Sequence, residues 1–249
     1  MAEGKFGNRV LDVVLIVSAC FVLYFWDLGQ APFFDKQEPR EALVVWEINH
    51  SGNWILPLRN GNEIPSKPPL YHWLAALASQ STNRIDEFTV RFPSAFLGSA
   101  GVLLIYLAGF VLWGRSAGLI SAMVLATSVE WRQAAEVGRV DMTLIFVMLC
   151  AFLYFFYLYN NNGGGRGKSI VLGILLGLAT LAKGPLGFVV PCVAYLIFLW
   201  SRRDFAIALR SYRHRNPILA MSIASLRNVA PGRNTKFPGI PLLNRYFAY

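Results

Sequence analysis

Apolar residues in this chain come in long runs separated by short polar stretches. Six runs reach or approach the length of a membrane span: Val10–Trp26, Phe88–Trp113, Ser116–Val129, Met142–Asn160, Ser169–Ala182 and Leu186–Trp200. A helix needs ~20 mostly apolar residues to cross a ~30 Å hydrocarbon core. The third and fifth runs are short on that measure, which fits helices tilted into a bundle or partly buried in protein. Asp12, Arg91, Asp141 and Lys183 all lie near the ends of runs, and no run has a charge at its middle. The first run ends in Tyr24-Phe25-Trp26 without a small-residue cleavage pattern, so an anchored first helix is expected rather than a cleaved signal. The expected fold class is therefore an all-α integral-membrane bundle of about six spans.

The loop after the first run, residues 27–87, has a pattern of its own. It holds eight carboxylates: Asp27, Asp35, Glu38, Glu41, Glu47, Glu63, Asp86 and Glu87. Pro39 suits the first turn of a helix, where its missing N–H costs nothing. Residues 40–50 then place Leu43, Trp46 and Val44, Ile48 at helical spacings, and Gly52 is a natural stop. This predicts an amphipathic helix at the membrane interface, with Trp46 and Trp54 at headgroup depth and Glu41 and Glu47 on its solvated face. Ile64-Pro65-Ser66-Lys67-Pro68-Pro69 holds the backbone extended and sets Lys67 on a rigid segment. Leu70–Ser79 reads as a second short interfacial helix. A further acidic cluster runs from Glu130-Trp131-Arg132 through Glu136 to Arg139-Val140-Asp141; there Trp131 reads as a membrane-belt anchor, and Arg91 as a headgroup anchor of the second span.

Lys and Arg near span ends set the orientation. Lys5, Arg9, Arg115, Arg166, Lys168, Arg202 and Arg203 fall on one side, predicted to be cytoplasmic, and the acidic loops and Lys183-Gly184-Pro185 face outward. The chain is 55% hydrophobic with a net charge of +9. Residues 1–200 hold 14 basic and 13 acidic groups, while residues 201–249 hold nine basic groups and only Asp204. A basic tail beside a near-neutral greasy body points to anionic lipid headgroups rather than nucleic acid. Cys20, Cys150 and Cys192 lie within spans and lack CxxC spacing, and three scattered histidines suggest no metal site.

The outer face gathers carboxylates from Asp35, Glu38 and Asp141 and cations from Arg40, Lys67, Arg139 and Lys183. Ion-coupled transporters place ionisable groups at the midplane, so a transporter is the weaker reading. A lipid-linked phosphate arriving at headgroup level needs cations, for which Arg offers a planar fork and Lys a point charge. A carboxylate near an acceptor hydroxyl can take its proton.

Glu38-Pro39-Arg40, Ser51-Gly52-Asn53-Trp54-Ile55-Leu56-Pro57, Lys67-Pro68-Pro69 with Trp73, Arg139-Val140-Asp141 and Ala182-Lys183-Gly184-Pro185 occur in that order. Over about residues 5–200 the chain resembles the N-terminal half of the dolichyl-phosphate-mannose protein mannosyltransferase-like membrane glycosyltransferases. That group includes the bacterial aminoarabinose transferases that modify lipid A. The resemblance implies a GT-C fold over residues 10–200, after a cytoplasmic N-terminus at 1–9. It implies transfer of a sugar, with inversion, from a polyprenyl phosphate to a lipid or protein acceptor on the outer face of a bacterial inner membrane.

Carried over by position, Arg40, Lys67, Arg139 and Lys183 would bind donor phosphate, and Asp35, Glu38 and Asp141 would be catalytic. The resemblance implies no metal site and no definite cofactor, with a divalent cation left open. Two positions depart from the family pattern. Gln37 stands where the first carboxylate of Asp-Glu-x-Arg is common, so Glu38 or Asp35 is expected to supply that group. Ser66 stands where aminoarabinose transferases often carry Glu. Residues 201–249 are expected to be a disordered or non-native tail of a truncated product. The alternative to an active enzyme is a non-catalytic remnant that keeps lipid-phosphate binding.

Overall fold

The computed structural model describes residues 2–33, 37–59, 63–161 and 166–202. They form nine helices in order: α1 Ala2–Tyr24, α2 Glu38–Ser51, α3 Leu70–Thr82, α4 Glu87–Trp113, α5 Arg115–Thr127, α6 Val129–Glu136, α7 Val140–Asn160, α8 Arg166–Lys183 and α9 Leu186–Ser201. No strand occurs among the described residues; one isolated antiparallel bridge pairs Arg59 with Glu63. Of the expected tail at 201–249, all but residues 201 and 202 lies outside the described residues, as does Asp35.

Each of the six apolar runs lies largely in a helix. Glu87–Trp113 and Val140–Asn160 are long and apolar enough to cross a membrane, while Arg115–Thr127 and Leu186–Ser201 are shorter apolar helices. Large apolar side chains stand exposed on the outside of the bundle, among them Val14, Phe96, Ile120, Ile174 and Ile197. Such a surface suits hydrocarbon rather than water.

Small residues let the long helices pack closely, as in other membrane bundles. The α4–α5 hairpin turns at Gly114, which has φ +93°. A Cβ added at Gly118 would lie 2.8 Å from the Tyr106 carbonyl oxygen, and one at Gly109 would lie 2.9 Å from the Gly118 Cα. At this end of the bundle Asp12, only 3% exposed, accepts from Arg115 Nε at 2.8 Å, Arg115 Nη2 at 2.6 Å and the Tyr106 hydroxyl at 3.0 Å. Toward the other end, the Tyr24 hydroxyl donates at 2.9 Å to the carbonyl of Ala126, in the last turn of α5.

The loop helices fall close to their expected places and are better buried than interfacial helices would be. Gly52 stops α2 in the left-handed region at φ 69°, its N–H returning to the Ile48 carbonyl. Val44, Val45 and Ile48 of α2 pack on Tyr71, Ala75 and Ala76 of α3 and on Val140 of α7. Asp86 caps α4 with a reciprocal capping box to Thr89. The short helix α6 separates at Ser128 from the third apolar run. Trp131 is not a belt anchor: it packs over Gly98 and Gly101 of α4, and its Nε1 donates to the Gly98 carbonyl at 3.3 Å.

The glycine contact gives a direct test. Gly118→Val should destabilise the α4–α5 hairpin by about 1–3 kcal/mol through overpacking. Gly173→Ala, inside α8 where an added Cβ meets nothing within 4 Å, should leave stability unchanged or raise it slightly. Thermal unfolding of the detergent-solubilised variants checks the contrast.

Candidate active site

At the end of the bundle where α4 and α7 begin and α8 stops, three ion-pair clusters form. The first is buried: Glu38 is 2% and Arg91 5% exposed. Arg91 Nε donates to Glu38 Oε1 and Nη2 to Oε2, both at 2.9 Å. Its Nη1 donates to the carbonyls of Leu28 and Ala31 at 3.0 and 2.7 Å, and Nη2 also to that of Pro32 at 3.2 Å. All five guanidinium N–H groups thus have partners. The Gly138 amide donates to Glu38 Oε1 at 2.7 Å. A Cβ at Gly138 would sit 3.0 Å from the Tyr71 hydroxyl and 2.9 Å from Val90 Cγ1, so glycine permits that approach.

The second cluster centres on Glu41. Its Oε1 accepts from Lys67 Nζ at 2.7 Å, and its Oε2 lies 2.5 Å from His72 Nε2. His72 is 1% exposed, and its Nδ1 has no hydrogen-bond partner. An ionised Glu41 makes Nε2 the protonated ring nitrogen, an assignment from the hydrogen-bond network. Burial pushes the Glu41 carboxyl up, but the hydrogen bonds from His72 and Lys67, with the lysine's charge, outweigh it and hold its pKa below the usual value. Burial, with the Glu41 and Glu38 charges, raises the Tyr71 phenol well above its ordinary range. It stays protonated and donates to the Val90 carbonyl at 2.8 Å.

In the third cluster Lys183 donates to Asp141. Asp141 stands in the first turn of α7 and Lys183 in the last turn of α8, where each charge complements its helix dipole. Leu70 joins the second and third clusters, packing against Leu144, Val147, Ala179 and Ala182. Lys67 lies three residues before Leu70, a reach of at most ~10 Å, and Ala182 adjoins Lys183.

Two cavities share Val44, Pro65, Ser66 and Lys67 in their walls. One, of about 250 Å³, is lined by Gln37, Arg40, Glu41, Arg59, Ser66 and Lys67 among others. The other, of about 310 Å³, is mainly apolar and includes Lys67 and His72. Neither is lined by Asp141 or Lys183. Arg40 is exposed at the first cavity. Arg139 precedes α7, and its carbonyl accepts from Ser94 Oγ at 3.4 Å.

A scan against family models matches residues 66–226 to dolichyl-phosphate-mannose-protein mannosyltransferase. The chain belongs to that family. Among its relatives, an undecaprenyl phosphate-alpha-4-amino-4-deoxy-L-arabinose arabinosyl transferase of Pseudomonas savastanoi pv. phaseolicola is 29% identical over 205 residues. The match covers 79% of this chain and 37% of that relative. The fold is similar to that of ArnT from Cupriavidus metallidurans in the apo state, with a TM-score of 0.71 at 21% identity. The similarity covers 99% of this chain and 45% of that protein. ArnT from the same organism bound to undecaprenyl phosphate gives a TM-score of 0.70 at 22% identity, covering 96% and 44%. The architecture is thus of the GT-C membrane type. The chain spans under half the length of these proteins.

Within that family fold, the expected site residues divide. Lys67 and Arg40 share a cavity, and Asp141 pairs with Lys183 beyond Leu70. Glu38 has both oxygens occupied by Arg91 and Gly138, a geometry suited to holding the fold rather than accepting a proton. Two residues have different surroundings from those expected. Glu41 is not on a solvated face but 7% exposed, and Arg91 is not a headgroup anchor but a buried partner. The sequence carried a signal for both Glu41 and His72. Glu41 shares a helical stripe with Val44, Val45 and Ile48, and His72 shares one with Ala75, Ala76 and Ser79. A charge or an imidazole on the apolar stripe marks burial.

Arg91→Ala should cost about 3–5 kcal/mol, since it leaves Glu38 buried without its cation. Arg132→Ala, which breaks an exposed pair with Glu136, should leave the unfolding midpoint almost unchanged. Because the folded pKa of Glu41 is depressed, the stability it contributes is full above the ordinary value of about 4.3. It is lost as pH falls through the lower folded value. Glu41→Gln should therefore flatten the acid limb of a stability–pH profile measured by thermal unfolding.

Proposed function

We propose that this chain forms part of a membrane glycosyltransferase that moves a sugar from a polyprenyl phosphate to a lipid or protein acceptor. On this reading six helices (α1, α4, α5, α7, α8 and α9) cross a bacterial inner membrane, and the acidic end faces outward. The observation that supports it best is the pair of lysine–carboxylate contacts, Lys67–Glu41 and Lys183–Asp141, on either side of Leu70. These lysines, with Arg40 and Arg139, would hold the donor phosphate at headgroup level.

The chemistry follows from charge. An acceptor oxygen attacks the anomeric carbon from the face opposite the phosphate, so the configuration inverts. The bond to the phosphate oxygen breaks, and its electron pair leaves with polyprenyl phosphate. Cations already on that phosphate stabilise the charge as it develops, and no separate acid is needed. The acceptor hydroxyl's proton passes to a nearby carboxylate, for which Asp35 is the sequence-based candidate, while Asp141 orients Lys183 and Glu38 fixes the α2 framework through Arg91.

Removing one charge-assisted hydrogen bond costs about 1.5–3 kcal/mol. Lys67→Ala and Lys183→Ala should therefore each weaken binding of undecaprenyl phosphate by roughly 10- to 100-fold. Binding is measured on the chain in nanodiscs, and transfer with a panel of undecaprenyl phosphates bearing labelled pentoses or hexoses. Label appearing in a lipid or protein acceptor supports the enzyme. Binding without consumption of any donor supports a remnant, and label accumulating inside vesicles under an ion gradient supports a transporter.

A further inference from the structure

We infer that Glu41 is the base that takes the acceptor's proton, and that donor phosphate releases it for that task by drawing Lys67 away. The inference deepens the glycosyl-transfer reading and rests on it.

Glu41 combines burial with access: its carboxylate is almost wholly shielded from bulk water yet lines the 250 Å³ cavity beside Arg40, Arg59 and Lys67. Its two oxygens are held unequally. Oε2 is fixed by His72, a side chain buried in α3. Oε1 is held by Lys67, which lies on the Pro-rich segment in the wall common to both cavities. The donor phosphodiester entering there carries one negative charge, as Glu41 does, and gains more as its bond to the sugar breaks, so it offers Lys67 a partner that strengthens through the reaction. Lys67 can turn to it without moving Glu41, which His72 keeps in place. Oε1 is then left with an open lone pair facing the cavity where the acceptor must approach. His72 Nδ1 is buried without a hydrogen-bond partner, which leaves the Glu41 contact as what sets the ring's tautomer. Of the two other described carboxylates that the sequence marks as catalytic, Glu38 is engaged through both oxygens and Asp141 pairs with Lys183, and neither lines these cavities.

The proton and electrons balance in one step. The acceptor O–H oxygen bonds to the anomeric carbon while the carbon–phosphate-oxygen bond breaks. The bonding pair goes to the phosphate, now held by Lys67, and the acceptor's proton goes to Glu41 Oε1. Phosphate binding thus both loads the donor and uncovers the base, so Glu41 is left without its lysine only when the site is occupied.

The test uses the chain in nanodiscs with the labelled donor that the panel identifies. Glu41→Gln should bind undecaprenyl phosphate as tightly as wild type or more tightly, because Lys67 loses its competing anion. It should nevertheless transfer to a hydroxyl acceptor about 100-fold more slowly or worse. Azide has no proton to lose, so it should restore donor consumption in Glu41→Gln and yield a glycosyl azide. If that variant does not fold, Glu41→Asp is read in the same way, with intact phosphate binding, slowed transfer and partial azide rescue. Transfer by Glu41→Gln within a few-fold of wild type overturns the inference and leaves the enzyme reading intact. So does loss of transfer in Asp35→Asn with Glu41→Gln unaffected, or parallel loss of binding and transfer without azide rescue. A wild-type chain that binds undecaprenyl phosphate but consumes no donor ends the enzyme reading, and the inference falls with it.

Discussion

The buried pair of Glu38 and Arg91 fixes the part of the molecule on which the candidate site depends. An arginine with all five donors satisfied cannot shift without breaking several contacts at once. Its partners come from the segment after α1, from the first turn of α2 and, through Glu38, from the turn before α7. Two charges taken out of water are tolerated because the geometry is bidentate and the remaining hydrogen-bonding capacity is met by backbone groups. The same completeness explains why Glu38 is poorly placed to exchange a proton. A carboxylate held by a guanidinium and an amide is a structural anion.

With the start of α2 pinned, the direction of its remaining side chains follows from helical spacing. The stripe of Glu41, Val44, Val45 and Ile48 turns inward, packing its apolar members on α3 and delivering Glu41 to Lys67 and His72. Lys67 and Lys183 are thereby paired with carboxylates of the same chain. An anionic ligand would replace an internal counterion rather than meet a bare cation. Anion capture then becomes an exchange, and its selectivity depends on how much better phosphate satisfies a lysine than a carboxylate does. A donor phosphodiester matches the carboxylate in charge and gains more as its bond to the sugar breaks, which favours the exchange as transfer proceeds.

The opposite end is organised by a different ion pair, Asp12 with Arg115, reinforced by Tyr106. Between the two ends, glycine and alanine contacts let α4 and α5 approach closely enough for backbone atoms to touch. The long helices are therefore held at each end by charge and along their length by small residues. Such a bundle is a rigid base for side chains at its rim. Asp141 and Lys183 use helix termini for the same purpose, each stabilised by the dipole of the helix that carries it.

The sequence by itself determined the helical class, the approximate extent of the apolar helices and the two helices in the first long loop. These follow from local rules: hydrophobic runs, a proline that can open a helix and a glycine that ends one. It also marked Lys67, Asp141 and Lys183 as residues gathered at one end. Tertiary structure alone decided who pairs with whom. Arg91 and Glu38 are 53 residues apart, and Glu38 and Gly138 are 100 apart, so no local pattern couples them. Whether a carboxylate on a helix meets water, an arginine or a histidine depends on which neighbour covers that face. That is why Glu41, Arg91 and Trp131 found different surroundings from those their own segments suggested.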